Sequence, residues 1–179
     1  MFLYHGTNKE FDVFDLAKGV TREDSPIDGY LGIWTGVTTD VPARFGKVVL
    51  VVETVSSYAI EMPRAKLGYL TAKINLEDFD PKTAYRALAE SCLHKGADLI
   101  AIREWDGRLG AVIVLKPSNA KIVSSLDSSD KAGLMAAEAH YSDLRTSSPN
   151  GLQFLIPERT RRFRKSAKRG TRLHPARIG

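Results

Sequence analysis

The chain has 179 residues, of which 43% are hydrophobic and 26% charged, and this is enough apolar sequence for one domain with a buried core. No apolar run reaches the roughly 18 residues that a membrane-spanning helix needs, and Met1 leads directly into the first predicted strand, which predicts no signal peptide. The single cysteine, Cys92, forms no intrachain disulfide, which predicts a reducing compartment such as the cytoplasm.

The first part of the chain is predicted to consist of short strands and loops. Residues 2–5 form the first strand, and the loop after it has Phe11, Phe14 and Leu16 as apolar anchors. Residues 19–29 are acidic and contain Pro and Gly, a composition typical of a mobile surface loop. A strand is expected next over 30–37. It is followed by a short helix over 40–45, with Asp40 as its cap and Pro42 in its first turn. A buried Val-rich strand is expected over 47–54, and the sheet continues over 57–62.

Two helices are predicted in the second part of the chain. Residues 81–94 place apolar side chains on one stripe of an amphipathic helix, and Gly96 occupies the position of a C-terminal cap. The second helix covers 129–144 and begins at a capping residue, either Ser129 or Asp130. The stripe of the first helix consists of Tyr85, Leu88, Ala89 and Cys92, and Cys92 is expected to be a buried small hydrophobe rather than a catalyst.

Three more strands are predicted, and they decide the fold class. Residues 97–103 and 110–115 are joined at an Asp-Gly hairpin turn, and 120–124 form a last strand. Many short strands with few helices indicate an α+β domain over residues 1–146, followed by a linker and a basic tail over 147–179.

The net charge of +5 conceals a strong asymmetry along the chain. Residues 157–179 contain nine basic residues and one acid, a net charge of +8, whereas the remaining 17 basic and 20 acidic residues leave the body at −3. Such a tail suits contacts with a nucleic-acid backbone or with an acidic protein surface, and the sequence leaves both open. The residues expected to bind are Arg159, Arg161, Arg162, Arg164, Lys165, Lys168, Arg169 and Arg172.

The most informative local motif is His5-Gly6-Thr7 at the end of the first predicted strand. A histidine followed by a glycine whose backbone can approach a ligand closely suits a binding cleft. The plain alternative is a hydrogen-bonded structural histidine at a strand end. The four histidines and one cysteine are scattered without the spacing of metal ligands, so no metal site is predicted.

Two further motifs follow the first in a recognisable order. Gly32-Ile33-Trp34 precedes an aromatic-glycine pair, Phe45-Gly46, and a strand over 111–115 ends at Lys116-Pro117. The order resembles the ADP-ribosyltransferase superfamily of the His-Tyr-Glu type, shared with poly-ADP-ribose polymerases. It is most similar to small bacterial and phage members that open with Tyr-His-Gly-Thr and a later Phe-Asp-x-Phe-Asp, which here are residues 4–7 and 11–15. The resemblance covers about 2–123 and implies a split β-sheet core.

The resemblance implies NAD as the substrate and gives roles to particular residues. In the family the histidine, here His5, holds a ribose hydroxyl, and the glycine, here Gly6, offers backbone groups to the nicotinamide amide; Thr7 completes the motif. Trp34 stands where a tyrosine usually stacks on nicotinamide, and it keeps a large aromatic face. Phe45 is placed where a second ring completes the sandwich, although a register shift of two or three residues stays open.

The third motif departs from the family. The family's glutamate corresponds to Ala111, which cannot stabilise the oxocarbenium-like transition state of nicotinamide–ribose cleavage as a carboxylate does. Three explanations stay open: slow or substrate-assisted transfer of one ADP-ribose, a nearby acid (Glu104 or Asp106) that replaces the glutamate, or a site that binds without chemistry. Polymer formation is not expected.

The sequence therefore leaves two functions open. The first is an NAD-dependent mono-ADP-ribosyltransferase acting on a protein or nucleic-acid target, encoded by a phage or mobile element and working in the cytoplasm or the host cytoplasm. The second is a catalytically inactive protein of the same fold that serves as a structural component of a virion or other assembly and is anchored by its basic tail.

Overall fold

The computed structural model describes residues 1–16, 27–55, 58–77, 79–147 and 153–154. Most of the loop expected over 19–29 and the whole basic segment 157–179, with all of its predicted binding residues, lie outside the described residues. The domain boundary at residue 146 stays a prediction.

The described chain is α+β and forms one mixed sheet with three α-helices. The strands are β1 (Phe2–Thr7), β2 (Ile33–Gly36), β3 (Val48–Thr54), β4 (Tyr58–Pro63), β5 (Leu99–Arg103), β6 (Leu109–Val114), β7 (Ala120–Asp127) and the two-residue β8 (Gln153–Phe154), and the helices are α1 (Arg64–Leu76), α2 (Pro81–His94) and α3 (Lys131–Ser147). The sheet order is β7-β3-β1-β2-β6-β5-β4-β8. Pairing is antiparallel except on both sides of β4, which is parallel to β5 and β8.

The sheet is weakest where β1 meets β2. On its other edge β1 pairs with β3 along all six residues from Phe2 to Thr7, whereas β1 and β2 are in register at one pair, Tyr4 and Gly36. Among the residues that the structure describes, no strand pairs with this edge of β1 beyond Tyr4. This opening lies at the His-Gly-Thr end of β1.

Alternation along the strands divides the core between the two faces of the sheet. On one face α1 and α2 cover Ile100, Ile102 and Ile113, and α3 covers the β1–β3 part, where Leu134 packs with Tyr4 and neighbouring valines. The opposite face buries Leu3, Leu50, Val52, Leu99, Ala101, Val112 and Val114 together with Phe14. The Val-rich strand is buried on both faces, as predicted, because its alternate residues belong to the two different layers.

Helix α2 confirms the predicted element over 81–94. Asp80 caps it, since its carboxylate accepts a hydrogen bond of 3.0 Å from the Thr83 amide, and Pro81 fits the first turn. Tyr85 and Cys92 are buried, and Gly96 has a φ of 80° after the last turn, a conformation that glycine adopts at little cost. Burial raises the pKa of the Cys92 thiol, which makes it a poor nucleophile, as expected.

Several elements differ from the sequence prediction. Helix α1 was not predicted, because its apolar residues lie on several sides of the helix: Leu67 and Ile74 are buried, whereas Tyr69 and Leu76 are exposed. The strand expected over 30–37 begins at Ile33, since Ile27–Leu31 form a 3₁₀ turn. The helix expected over 40–45 is a 3₁₀ turn, Pro42–Arg44, preceded by Val41 without a side-chain cap, so the assignment of Asp40 as its cap was wrong. The helix expected from 129 begins at Lys131.

Of the two capping candidates for α3, the structure selects Asp130. Its carboxylate accepts a hydrogen bond of 2.9 Å from the Gly133 amide, which satisfies one of the exposed donors of the first turn. Ser129 instead donates to Asp127, at 2.7 Å from its hydroxyl.

Tyr85 tests the packing of α2 on α1. It is fully buried, and its hydroxyl lies 2.6 Å from that of Thr71. We expect Tyr85→Phe to lower the free energy of unfolding by about 1 kcal/mol through the lost hydrogen bond, and Tyr85→Ala by about 3–5 kcal/mol through the added cavity. Urea denaturation measures both. Tyr69→Phe, on an exposed tyrosine of α1, is the matched control and should change little.

Candidate ligand-binding cleft

An open cleft of about 1670 Å³ lies at the junction of β1 and β2. Small-molecule sites typically occupy about 300–1,000 Å³, so the cleft is large enough for a dinucleotide. Its walls come from the end of β1, the start of β2, the start of β6, the Pro42–Arg44 turn and the segment 8–16. The cleft brings together His5, Gly6, Thr7, Trp34, Phe45, Glu104 and Ala111.

The His5 side chain bridges the opening between the two strands. Its Nδ1 lies 2.8 Å from the backbone carbonyl oxygen of Trp34, so Nδ1 carries the proton and donates to that oxygen. The rings of Phe11 and Phe14 meet the imidazole edge-on, with centroids at 6.3 and 5.1 Å. Burial lowers the pKa of His5, and the hydrogen bond to Trp34 opposes this only in part. The ring is therefore neutral at pH 7, and Nε2 is a hydrogen-bond acceptor.

Gly6 is required by packing whether or not a ligand binds. A Cβ built on Gly6 would lie 1.9 Å from the Pro42 carbonyl oxygen, and one on Gly46 would lie 2.0 Å from the Thr7 carbonyl oxygen. The two glycines thus allow the Pro42–Arg44 turn to rest directly on the end of β1. That contact places Phe45 at the cleft with 60% of its surface exposed.

A second contact fixes the same turn from the side of α3. The Glu138 carboxylate accepts hydrogen bonds from the amide and the hydroxyl of Thr39, the latter at 2.6 Å. Thr39 is buried, and its backbone carbonyl oxygen accepts a hydrogen bond of 2.9 Å from the Ala43 amide within the turn. Sequence reasoning missed Glu138, because nothing local relates residues separated by 99 positions.

Trp34 and Glu104 are joined by a residue that the sequence did not single out. Arg64, the first residue of α1, makes a two-pronged ion pair with Glu104, with Nη2 to Oε1 at 2.6 Å and Nε to Oε2 at 3.3 Å. The same guanidinium lies 5.8 Å from the centre of the Trp34 ring, which is within the range of a cation–π interaction. Arg64 was missed because α1 itself was not predicted.

The structure distinguishes between the two acids proposed to replace the family glutamate. Glu104 lies in the cleft against the β6 backbone, where a Cβ on Gly110 would come within 2.2 Å of its Oε1, next to Ala111. Asp106 sits in the exposed hairpin turn outside the cleft lining and pairs with Arg108 at 2.6 Å; its hydrogen bonds from Arg108 lower its pKa. Of the two acids, Glu104 is therefore the one that lies in the cleft, beside Gly110, the residue before Ala111.

The described residues show no group of three or more His, Cys, Asp or Glu side chains arranged to hold a metal ion. None of the described helices combines the length and apolar character needed to cross a membrane. Comparisons of the chain with protein-family models, with curated proteins and with solved structures found no match.

The lowered pKa of His5 predicts a pH dependence of stability. In the unfolded chain His5 binds a proton near its ordinary pKa of 6.5, whereas in the folded chain its pKa is lower. In the pH range between the folded-state pKa and 6.5, the unfolded state therefore holds more protons than the folded state. The free energy of unfolding should therefore fall as the pH drops below 6.5, and this fall should be smaller in His5→Gln. Urea unfolding between pH 8 and pH 5 measures it.

His94 supplies the control for this experiment, because its Nδ1 makes the same 2.8 Å contact with a backbone carbonyl oxygen at an exposed position. His94→Gln is the matched variant, since it removes an imidazole that does not line the cleft. An identical pH dependence in His5→Gln and the unmodified protein would contradict the assignment.

Proposed function

We propose that the cleft binds NAD and that the protein transfers a single ADP-ribose to a macromolecular target. The observation that carries the proposal is the 2.8 Å contact between the His5 imidazole and the Trp34 carbonyl oxygen. This contact joins the His5-Gly6-Thr7 motif to the motif that contains Trp34 at one cleft. The resemblance to ADP-ribosyltransferases rests on these two motifs.

The residues of the cleft suit the two ends of the ligand. His5 Nε2 is an acceptor for a ribose hydroxyl, and the edge of β1 beyond Tyr4, which pairs with no described strand, offers backbone donors and acceptors for the nicotinamide amide. Trp34 and the exposed ring of Phe45 line the same cleft and supply aromatic faces for the nicotinamide ring.

Glu104 supplies the negative charge that Ala111 lacks. In the transfer, the bond between ribose C1 and the nicotinamide nitrogen breaks, the electron pair leaves with neutral nicotinamide, and positive charge develops on the ribose. A carboxylate beside that carbon stabilises the charge. The acceptor then attacks C1 and loses its proton. The basic segment 157–179 would bring the protein to an anionic target, either nucleic acid or an acidic protein.

The Arg64–Glu104 ion pair favours a second candidate function. A carboxylate neutralised by a guanidinium is a weaker electrostatic catalyst, and alanine occupies the position of the family glutamate. A protein that binds in this cleft without chemistry, as a component of an assembly, is consistent with both features.

NAD binding tests the proposal directly. We expect saturable binding by calorimetry and at least tenfold weaker binding by His5→Ala, about 1.4 kcal/mol, because the acceptor nitrogen and the bridge to Trp34 are both lost. His94→Ala removes an exposed histidine with the same carbonyl contact and should bind NAD as the unmodified protein does. Absence of binding at millimolar NAD would refute the proposal.

Glu104 and Asp106 form a matched pair for testing the chemistry. The kcat/KM for release of nicotinamide from NAD, with water as acceptor, should fall by about 10²–10³-fold in Glu104→Gln, since the carboxylate stabilises the charge that develops on the ribose. Asp106→Asn should have no effect. If the unmodified protein binds NAD and releases no nicotinamide, the second candidate function is correct.

A further inference from the structure

A flat cation already occupies part of the cleft in the free protein. The Arg64 guanidinium is planar, delocalised and permanently charged, and it contacts both the Trp34 ring and the Glu104 carboxylate. An aromatic face beside a carboxylate is an arrangement that selects flat cations, since the ring quadrupole and the negative charge both favour them.

We infer that Trp34 and Glu104 form a subsite for the cationic nicotinamide ring of the substrate, and that Arg64 fills this subsite until the substrate displaces it. This inference rests on the proposed NAD cleft for the natural ligand. The nicotinamide ring of NAD is a flat ring with a delocalised positive charge, so it shares with a guanidinium the two properties that the subsite recognises. Two cations cannot share the subsite, because they would repel each other beside one carboxylate.

Arg64 is placed so that it can leave. Only its backbone is fixed by α1, its side chain is 35% exposed, and its hydrogen bonds within the described residues go to Glu104. Both side chains of the pair remain about one-third exposed to water, so a ligand that replaces both contacts can displace the arginine without leaving Glu104 unpaired. Arg64 is thus a positioning residue that masks Glu104 in the free protein and releases it when the cation binds.

The consequence for specificity is a preference for the charged ring over the neutral one. Intact NAD carries the charge, whereas the nicotinamide that leaves after transfer is neutral. The neutral product competes poorly with Arg64 for Glu104, so the return of Arg64 favours product release.

The test uses two small probes that differ in charge, N1-methylnicotinamide and nicotinamide. Binding is followed by quenching of Trp34 fluorescence in a Trp105→Phe background, which removes the other tryptophan, a residue 81% exposed in the hairpin turn. The variants compared in this background are Arg64→Ala, Arg64→Lys, and Arg64→Ala with Glu104→Gln. Arg64→Lys keeps the charge but loses the planar, two-pronged contact, and it guards against a loss of folding in Arg64→Ala.

We expect Arg64→Ala to bind N1-methylnicotinamide at least tenfold more tightly than the parent, with a clearly smaller gain for nicotinamide. The affinity of Arg64→Lys for N1-methylnicotinamide should lie between those of the parent and Arg64→Ala. Adding Glu104→Gln to Arg64→Ala should abolish the preference for the charged probe. Unchanged or weaker binding of the cation by both Arg64 variants overturns the inference. Equal gains for both probes also overturn it, because they show only that a cavity has been created.

These outcomes are distinguishable from those of the NAD experiment. If NAD binds in a His5-dependent manner and the Arg64 variants show no preference for the charged probe, the proposed function stands and the displacement of Arg64 is refuted. If the probes behave as expected and NAD does not bind, the flat-cation subsite is real and its natural ligand is a different cation.

Discussion

The cleft depends on one hydrogen bond, from the His5 imidazole to the backbone carbonyl oxygen of Trp34. In a continuous antiparallel sheet a strand amide would satisfy such a carbonyl. Here β1 and β2 are in register only at Tyr4 and Gly36, and the side chain supplies the donor beyond that point. The sheet can therefore open while this part-buried acceptor keeps a donor. The same bond fixes the proton on Nδ1 and leaves Nε2 as an acceptor. One interaction thus supplies a donor to the Trp34 carbonyl oxygen and an acceptor for a ligand hydroxyl.

The remaining cleft residues are held by elements that come from distant parts of the chain. The Pro42–Arg44 turn rests on Gly6 and is tied to α3 through Thr39 and Glu138. The opposite wall is set by α1, whose first residue pairs with Glu104 at the end of β5. One wall is therefore packed against backbone, whereas the other is closed by an ion pair whose side chains are 35% and 32% exposed. If Arg64 leaves as proposed, the cleft adjusts on the side of Glu104 and Trp34.

Sequence reasoning succeeded where a local pattern carries the information. The run from Val48 to Val52 predicts a strand buried on both faces, and the apolar stripe with a following Gly96 predicts α2. The motif residues His5, Gly6, Trp34 and Phe45 were expected to converge, and they line one cleft. Helix α1 was missed because its apolar residues are divided between the buried Leu67 and Ile74 and the exposed Tyr69 and Leu76. Arg64 and Glu138 could not be predicted, since their roles depend on partners 40 and 99 residues away, and only the fold brings those partners together.

Helix α3 lies beyond residue 123, where the resemblance to ADP-ribosyltransferases ends, yet it belongs to the same cooperative unit. Leu134 covers Tyr4 and Val51, the ring of Tyr141 packs on Phe2 with centroids 4.8 Å apart, and Glu138 holds the wall that carries Phe45. A fragment cut at the end of β7 would expose this apolar face of β1 and β3 to water and would release the turn. The smallest autonomous folding unit that contains a formed cleft therefore extends at least to Tyr141, and its boundary is set by tertiary contacts rather than by the extent of the recognisable motifs.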